Sequence, residues 1–235
     1  MKRIIVTRMT HQATSLQELI TELGHRPLFF PVLTLKKQQQ TLVQHYLTQL
    51  APEDYIVFTS QNSVEAVLGE RQFPTFKAIS IGPATTTALR GYGIEPVIEA
   101  DSFISSGVVA AVSQVVKQTD KVWLPQSARA TTDLADALSS LCRLTHTTVY
   151  TVVPAKRIPF TFEAGDCITL TSPSTVSSFL SLLTASERQL LPTFALLSIG
   201  PVTTAAIENE GLRVTYEAKP YHVSGFRAFL ENNKK

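Results

Sequence analysis

Two pairs of short motifs carry most of the chemistry this sequence can offer. Thr59-Ser60-Gln61-Asn62 is matched by Thr171-Ser172-Pro173-Ser174, and Ile81-Gly82-Pro83-Ala84-Thr85 by Ile199-Gly200-Pro201-Val202-Thr203. Each falls where an apolar, β-branched run gives way to helical periodicity, so each marks a strand handing over to a helix. The first backbone N–H groups of a helix have no internal partners, and the helix dipole adds partial positive charge there. Such ends hold carboxylate or phosphate without lysine or arginine. Ser60, Asn62, Gly82, Ala84, Ser172, Ser174, Gly200 and Thr203 are therefore candidate ligand contacts. Ser60 and Ser172 have a second reading, as N-caps and nothing more; four such motifs on one rim favour the ligand.

Tyr150 sits in the run TTVYTVV. A phenol of pKa about 10 stays protonated at neutral pH and can donate a proton or a hydrogen bond; the alternative is a tyrosine packed in a core or an edge strand. Arg8 ends the first predicted strand and could meet an anion. Arg129 and Lys156 read better as solvated charge, and Trp123 as core. His11, His25, His45, His146 and His222 form no i, i+4 pair and no acidic partner pattern, so no metal is expected. Cys142 and Cys167 lack metal or disulfide spacing and read as reduced, packed thiols. A nucleophile elbow, a P-loop and a Gly-x-Gly-x-x-Gly turn are all missing, so an ordinary hydrolase, kinase or dehydrogenase finds no support.

The elements that position these residues come in two copies. Residues 79–112 return as residues 197–230 at a constant offset of 118, with 13 identities over 34 ungapped positions. Within each copy strand and helix alternate. Strands are expected at 3–7, 28–35 (with Pro31 bending its middle), 55–59, 78–81 and 96–99, then at 121–124, 147–153, 167–171, 195–199 and 214–217. Helices follow most of them, with Gly24, Gly93 and Gly211 as stops. Alternation of this kind predicts parallel sheets with helices on both faces. Ligands of open parallel sheets sit beyond the carboxyl ends of the strands, and two lobes facing each other would build a cleft there.

Composition narrows the field further. The chain has 235 residues, 44% of them hydrophobic, and a net charge of +2. That charge is too small for a dedicated nucleic-acid binder. The terminal Lys234-Lys235 pair reads as a frayed end. The polar turn after MKRIIV is unlike a signal peptide, and no apolar run reaches the roughly 18 residues of a membrane span. A soluble, cytoplasmic protein without membrane or nucleic-acid partners is expected. With no long heptad or apolar stripe, a monomer is the default.

The motifs together resemble the uroporphyrinogen-III synthase family. The resemblance rests on VTR at 6–8, VFTSQNSVEAV at 57–67, SIGPATTTALRGYGI at 80–94, SSG at 105–107, VYTV at 149–152, TLTSPSTVSSFL at 169–180, SIGPVTTAAIENEGL at 198–212 and YHVSGF at 221–226. It spans nearly the whole chain in order. It implies two flavodoxin-like lobes joined by two extended linker strands. The N-terminal βα unit would pack with the C-terminal half: lobes 1–34 plus 154–235 and 38–147, linkers 35–37 and 148–153. The family closes linear hydroxymethylbilane to uroporphyrinogen III with inversion of the last pyrrole ring, without cofactor or metal. The resemblance also allows a transient hand-over of substrate from hydroxymethylbilane synthase. It casts Tyr150 as the residue assisting hydroxide departure and sets Ser60, Asn62, Ser172 and Thr203 along the cleft, while the lobes close over the substrate to exclude the shorter, non-inverting route. LPQSARATTDL at 124–134 departs from the family: Gln126 stands where arginine is common.

Two other readings use the same helix-end rim. One is a non-enzymatic bilobal binder of a small anion, which would retain a linear tetrapyrrole without converting it. The other is a phosphosugar-binding α/β module, which sugar phosphates would protect from thermal unfolding.

Overall fold

The computed structural model describes residues 1–102 and 104–234; Phe103 and Lys235 lie outside them, while Lys234, the other half of the expected frayed end, is described and exposed. Along the chain run β1 (Arg3–Val6), α1 (Thr14–Glu22), β2 (Arg26–Phe29), β3 (Leu33–Lys37), α2 (Gln40–Gln49), β4 (Tyr55–Phe58), α3 (Gln61–Leu68), β5 (Lys77–Ser80) and α4 (Pro83–Arg90). Next come β6 (Ile98–Glu99), α5 (Ser105–Val115), β7 (Lys121–Ser127), α6 (Asp133–Ser139), β8 (Arg143–Pro154), β9 (Cys167–Leu170) and α7 (Pro173–Leu182). The chain finishes with α8 (Ala185–Arg188), β10 (Ala195–Ser198), α9 (Pro201–Asn209), β11 (Val214–Glu217) and α10 (Arg227–Asn232).

These elements form an α/β protein of two parallel-sheet lobes. One compact unit joins Met1–Thr34 to Val153–Lys235; the other is Leu35–Val152. The first holds a five-stranded sheet, order β11-β10-β9-β1-β2. The second holds six strands, order β3-β8-β7-β4-β5-β6. The chain passes between the units within β3 and β8, the strands that contain residues 35–37 and 148–153, and both belong to the six-stranded sheet.

Pairing of β1 with β9 and β2 explains why the first residues belong with the last (Ile4 opposite Cys167, Arg3 opposite Arg26). Side chains reinforce that register. The Arg3 guanidinium donates to Asp166 at 2.8 Å and to the Thr161 carbonyl at 2.7 Å, and also pairs with Glu163. Asp166 is only 2% exposed, and a buried carboxylate needs such a partner. Buried His25 accepts from the Lys2 N–H through Nδ1 and meets the Leu230 carbonyl through Nε2, so it is a packed histidine that ties β1 to α10.

Each sheet face buries an apolar helix stripe. In the first unit Leu16, Ile20, Phe226 and Leu230 pack on Ile4 and Val6. In the second, α2, α3 and α4 cover one face through Leu47, Val64 and Leu89 against Ile56, Phe58 and Trp123. Helices α5 and α6 cover the other through Val108, Val112 and Leu134 against Val57, Val122 and Leu124. Trp123 is core, as its sequence context suggests, and donates to the Thr147 hydroxyl at 2.7 Å.

Several boundaries differ from the sequence reading. The expected strand at 28–35 is two strands, because Pro31 interrupts it; each half ends up at a sheet edge, where a missing N–H is tolerated. Helix α2, whose buried stripe is only Val43 and Leu47, the short α8 and the 3-10 turn at Leu191–Thr193 are additional to the elements that the sequence pattern indicates. Strand β7 continues to Ser127 and β8 covers 12 residues, both longer than the β-branched runs alone indicate.

Candidate functional site in the second unit

The carboxyl ends of β4, β5, β7 and β8 meet at one end of the six-stranded sheet, and the candidate residues of this unit gather there. Ser60 is the N-cap of α3. Its Oγ accepts the Ser63 N–H at 3.0 Å, and the Ser63 hydroxyl accepts the Ser60 N–H at 3.2 Å, a reciprocal capping box. The N-cap reading is therefore correct, and it is incomplete. The same Ser60 Oγ lies 2.9 Å from the Tyr150 hydroxyl, which β8 delivers across the sheet. Tyr150 is 6% exposed and packs beside Val149 and Trp123. Burial pushes its phenol above the ordinary value, while hydrogen bonding by Ser60, Ser127 and Asn62 pulls the other way. The site thus holds a neutral phenol within a ring of small polar side chains.

Gly82 and Ala84 begin α4 beside it, with Pro83 at the first helical position, where no N–H is required. Ala84 is exposed and Gly82 buried, and neither carries a polar side chain, so the polar groups of these two positions are those of the backbone. A contact the motif did not reveal holds that turn in place. Thr86 bridges Ser80 at 2.7 Å and Glu99, and its counterpart Thr204 bridges Ser198 at 2.6 Å and Glu217 at 2.5 Å. All three residues recur at the 118-residue offset, so identity between the copies was the signal available. Each trio pins the start of a helix to two strand ends.

The equivalent turns of the first unit are built alike. Ser172 caps α7, accepting from Thr175 N–H at 3.2 Å with the reciprocal bond at 3.0 Å. Its hydroxyl meets Ser174 Oγ at 2.9 Å, where that of Ser60 meets the Tyr150 hydroxyl. Gly200 precedes α9, and a Cβ there would lie 3.3 Å from the Tyr221 side chain. Thr203 is 2% exposed, turned inward at the third helical position, so its side chain is not on the open rim. Arg8, just past β1, is partly buried; its Nε has no hydrogen-bond partner among the described residues, and burial lowers the pKa of its guanidinium. Arg129 and Lys156 are exposed, as surface charges should be.

One further identity of the repeat, Gly107 with Gly225, is structural. A Cβ on Gly107 would fall 2.4 Å from the Ser102 carbonyl oxygen, and one on Gly225 would fall 2.0 Å from that of Pro220. Backbone passes too close at both for any side chain. Among the described residues no cluster of three or more His, Cys, Asp or Glu could hold a metal, and no helix is long and apolar enough to cross a membrane.

Comparison with known proteins agrees with this architecture. A uroporphyrinogen-III synthase of Chlorobaculum parvum is 25% identical over 233 residues, covering 91% of this chain and 92% of that one. A porphyrin biosynthesis protein HemD of Ruminiclostridium josui is 24% identical over 234 residues, covering 92% of this chain and 46% of the longer relative. The solved structure of a uroporphyrinogen-III synthetase from Helicobacter pylori shares the fold, with TM-score 0.59 at 14% identity over 97% of this chain and 98% of the other. The sequence model described as uroporphyrinogen-III synthase HemD matches residues 14–227. With most of its length inside that match, the chain belongs to the uroporphyrinogen-III synthase (HemD) family.

Proposed function

We propose that this protein is a working uroporphyrinogen-III synthase. It would convert hydroxymethylbilane to uroporphyrinogen III and one water, inverting the last pyrrole ring. The observation that carries the reading is the 2.9 Å contact between Tyr150 and the cap of α3, at the strand ends of a chain that belongs to this family.

The chemistry asks for little beyond geometry and one proton. The hydroxyl of the hydroxymethyl group departs, its C–O bond breaking as the adjacent pyrrole nitrogen pushes electrons into the ring, and the methylene stays behind as an azafulvene protonated on nitrogen. The Tyr150 hydroxyl donates to the departing oxygen, so that it leaves as water. Burial makes the phenol reluctant to ionise, which suits a hydrogen-bond donor that recovers its proton when the attacking ring is rearomatised. The substituted carbon of the last ring attacks first; fragmentation and reclosure then deliver the inverted isomer. In water the bilane closes without inversion, so the protein's task is to hold the last ring in the unfavoured orientation.

The substrate's acetate and propionate groups supply many carboxylates. The N-termini of α3 and α4 in one unit and of α7 and α9 in the other present backbone N–H groups suited to them. Ser60, Asn62, Gly82, Ala84, Ser174 and Gly200 would line those ends, with Ser172 and Thr203 fixing helix geometry. The free Nε of Arg8 would serve a further carboxylate. The test is isomer analysis. Hydroxymethylbilane is generated in situ and the oxidised products are separated into type I and type III uroporphyrins. Predominantly type III is expected. Type I at the level without enzyme, from folded protein, would reject the function and leave an anion binder.

A further inference from the structure

The repeat sets two residues at equivalent positions that the motifs do not link. Ile4 stands opposite Cys167 as Val122 stands opposite Tyr55, so β1 corresponds to β7 at the same 118-residue offset. Arg8 thereby corresponds to Gln126. Both bury a polar side-chain atom, Arg8 Nε and Gln126 Oε1, that has no hydrogen-bond partner among the described residues.

Gln126 is the more telling of the two. Val122, Leu124 and Gln126 alternate onto the face covered by α5 and α6, where the first two are core. An apolar residue is expected at the third position. Instead a primary amide sits there, 6% exposed. The register steps between Gln126 and Ser127, ending the regular ladder with β8 at this residue. A buried acceptor left unmade is unfavourable and calls for an explanation. Here it lines a pocket of about 330 Å³ with Thr59, Ile81, Ile104, Val108 and Leu134. Thr59 and Ile81 follow β4 and β5, so the pocket opens at the strand ends that carry Ser60 and Gly82. Ile104, on its wall, is 65% exposed, a large apolar side chain left in water.

The acceptor stands beside the aliphatic side chains of Ile81, Ile104, Val108 and Leu134, with Thr59, Ser105 and Thr131 also on the lining, and this combination matches a flat, largely apolar ring carrying a single N–H donor. A pyrrole is such a ring: its nitrogen donates and cannot accept, and its faces pack on branched aliphatic side chains. We infer that Gln126 Oε1 accepts the N–H of one pyrrole ring of the substrate in this pocket. The inference rests on the proposed tetrapyrrole activity and adds a subsite to it, one that orients a ring, where the helix N-termini hold only its carboxylate arms.

Gln126→Met keeps the length of the side chain and removes the acceptor. The KM for hydroxymethylbilane should rise roughly tenfold, the weight of one hydrogen bond to a buried neutral acceptor, with the loss in KM rather than kcat. The thermal midpoint should stay level or rise, because an unsatisfied polar atom is gone. A glutamine that merely supports the fold predicts the reverse: a lower midpoint and an unchanged KM. Ala130→Trp supplies a second variant. Ala130 is exposed and lines the same pocket, so the indole would obstruct it without touching the core, again raising KM. If wild type forms type III product and neither variant moves KM beyond twofold, the subsite is refuted while the function stands. A KM increase in Gln126→Met that comes with a lower midpoint, and none in Ala130→Trp, refutes it as well. If wild type forms no type III product, the function and the subsite fall together.

Discussion

Replacing Tyr150 by phenylalanine should separate stability from activity. The substitution removes one hydroxyl. Ser60 Oγ loses a partner at 2.9 Å but keeps the Ser63 N–H at 3.0 Å, so α3 remains capped. The ring stays in its packed place among Val149 and Trp123. The stability cost is that of one side-chain hydrogen bond, about 1 kcal/mol, or roughly 2–4 °C in thermal midpoint for a chain of this size. The catalytic cost follows different reasoning. A hydroxyl that donates to a leaving oxygen contributes about 10²–10⁴-fold, equivalent to about 3–5 kcal/mol of barrier. The assay is the initial rate of type III formation from hydroxymethylbilane generated in situ, paired with a thermal melt on the same preparation. Because spontaneous closure competes, the product of the variant should drift toward type I. Turnover within threefold of wild type would refute the role of the phenol. The pH profile supplies a second check. Burial raises the Tyr150 pKa, so the proton is held more firmly in the folded state than in the unfolded one. What that proton contributes is complete below the ordinary tyrosine value of about 10 and is lost only as pH climbs through the higher folded value. An alkaline loss of activity assignable to this tyrosine below pH 10 would contradict the assignment.

Other perturbations test the scaffold. Thr86→Val and Thr204→Val each break a bridge between a strand-end serine and a glutamate; each should cost about 1–3 kcal/mol in urea unfolding. Arg3→Met leaves the 2%-exposed Asp166 carboxylate without its ion partner. A loss of about 3 kcal/mol is expected from breaking such a pair, read as a lower urea midpoint, and no change would mean Arg3 is incidental. Burial raises the thiol pKa of both Cys142 and Cys167, so iodoacetamide at pH 8 should label them only once denaturant is added; stoichiometric labelling of native protein would contradict their packing.

The parts of the fold that could be read in the sequence are those where local chemistry leaves one choice. A Ser or Gly-Pro after a β-branched run can only open a helix, and β11 falls at Val214–Glu217, as its alternation indicated. Partnership was not legible in that way. Nothing in residues 1–8 says that β1 inserts between β9 and β2, because the Arg3–Asp166 pair spans 163 positions. Helix α2 escaped because its apolar stripe is thin: Val43 and Leu47 are its buried residues. At the site, cap chemistry exposed Ser60, and only the fold brings the Tyr150 hydroxyl, 90 residues away, within reach of it. Thr203 shows what a motif alone does not convey: the helix phase buries its side chain, 2% exposed, and leaves the backbone of the helix start as the group its motif presents.

Duplication makes the differences between the copies more informative than their likeness. Capping boxes, Gly-Pro helix starts and Ser–Thr–Glu bridges occur in both units, so they follow from folding requirements that each copy must meet alone. Chemistry that acts on one ring of an asymmetric substrate cannot be symmetric. Two of the differences concern polar groups at the strand ends. Ser60 meets a buried phenol where Ser172 meets Ser174. The strand end after β1 offers a guanidinium whose buried Nε has no hydrogen-bond partner among the described residues, where β7 offers an amide oxygen in the same condition. Exchanging the second pair tests which copy reads what. Gln126→Arg would put a guanidinium where an acceptor stands, repelling a ring N–H while attracting a carboxylate. The expected result is bound substrate with type III product falling relative to type I. An unchanged isomer ratio would mean that ring orientation is set elsewhere, with Tyr150 and the helix ends sufficient to impose inversion.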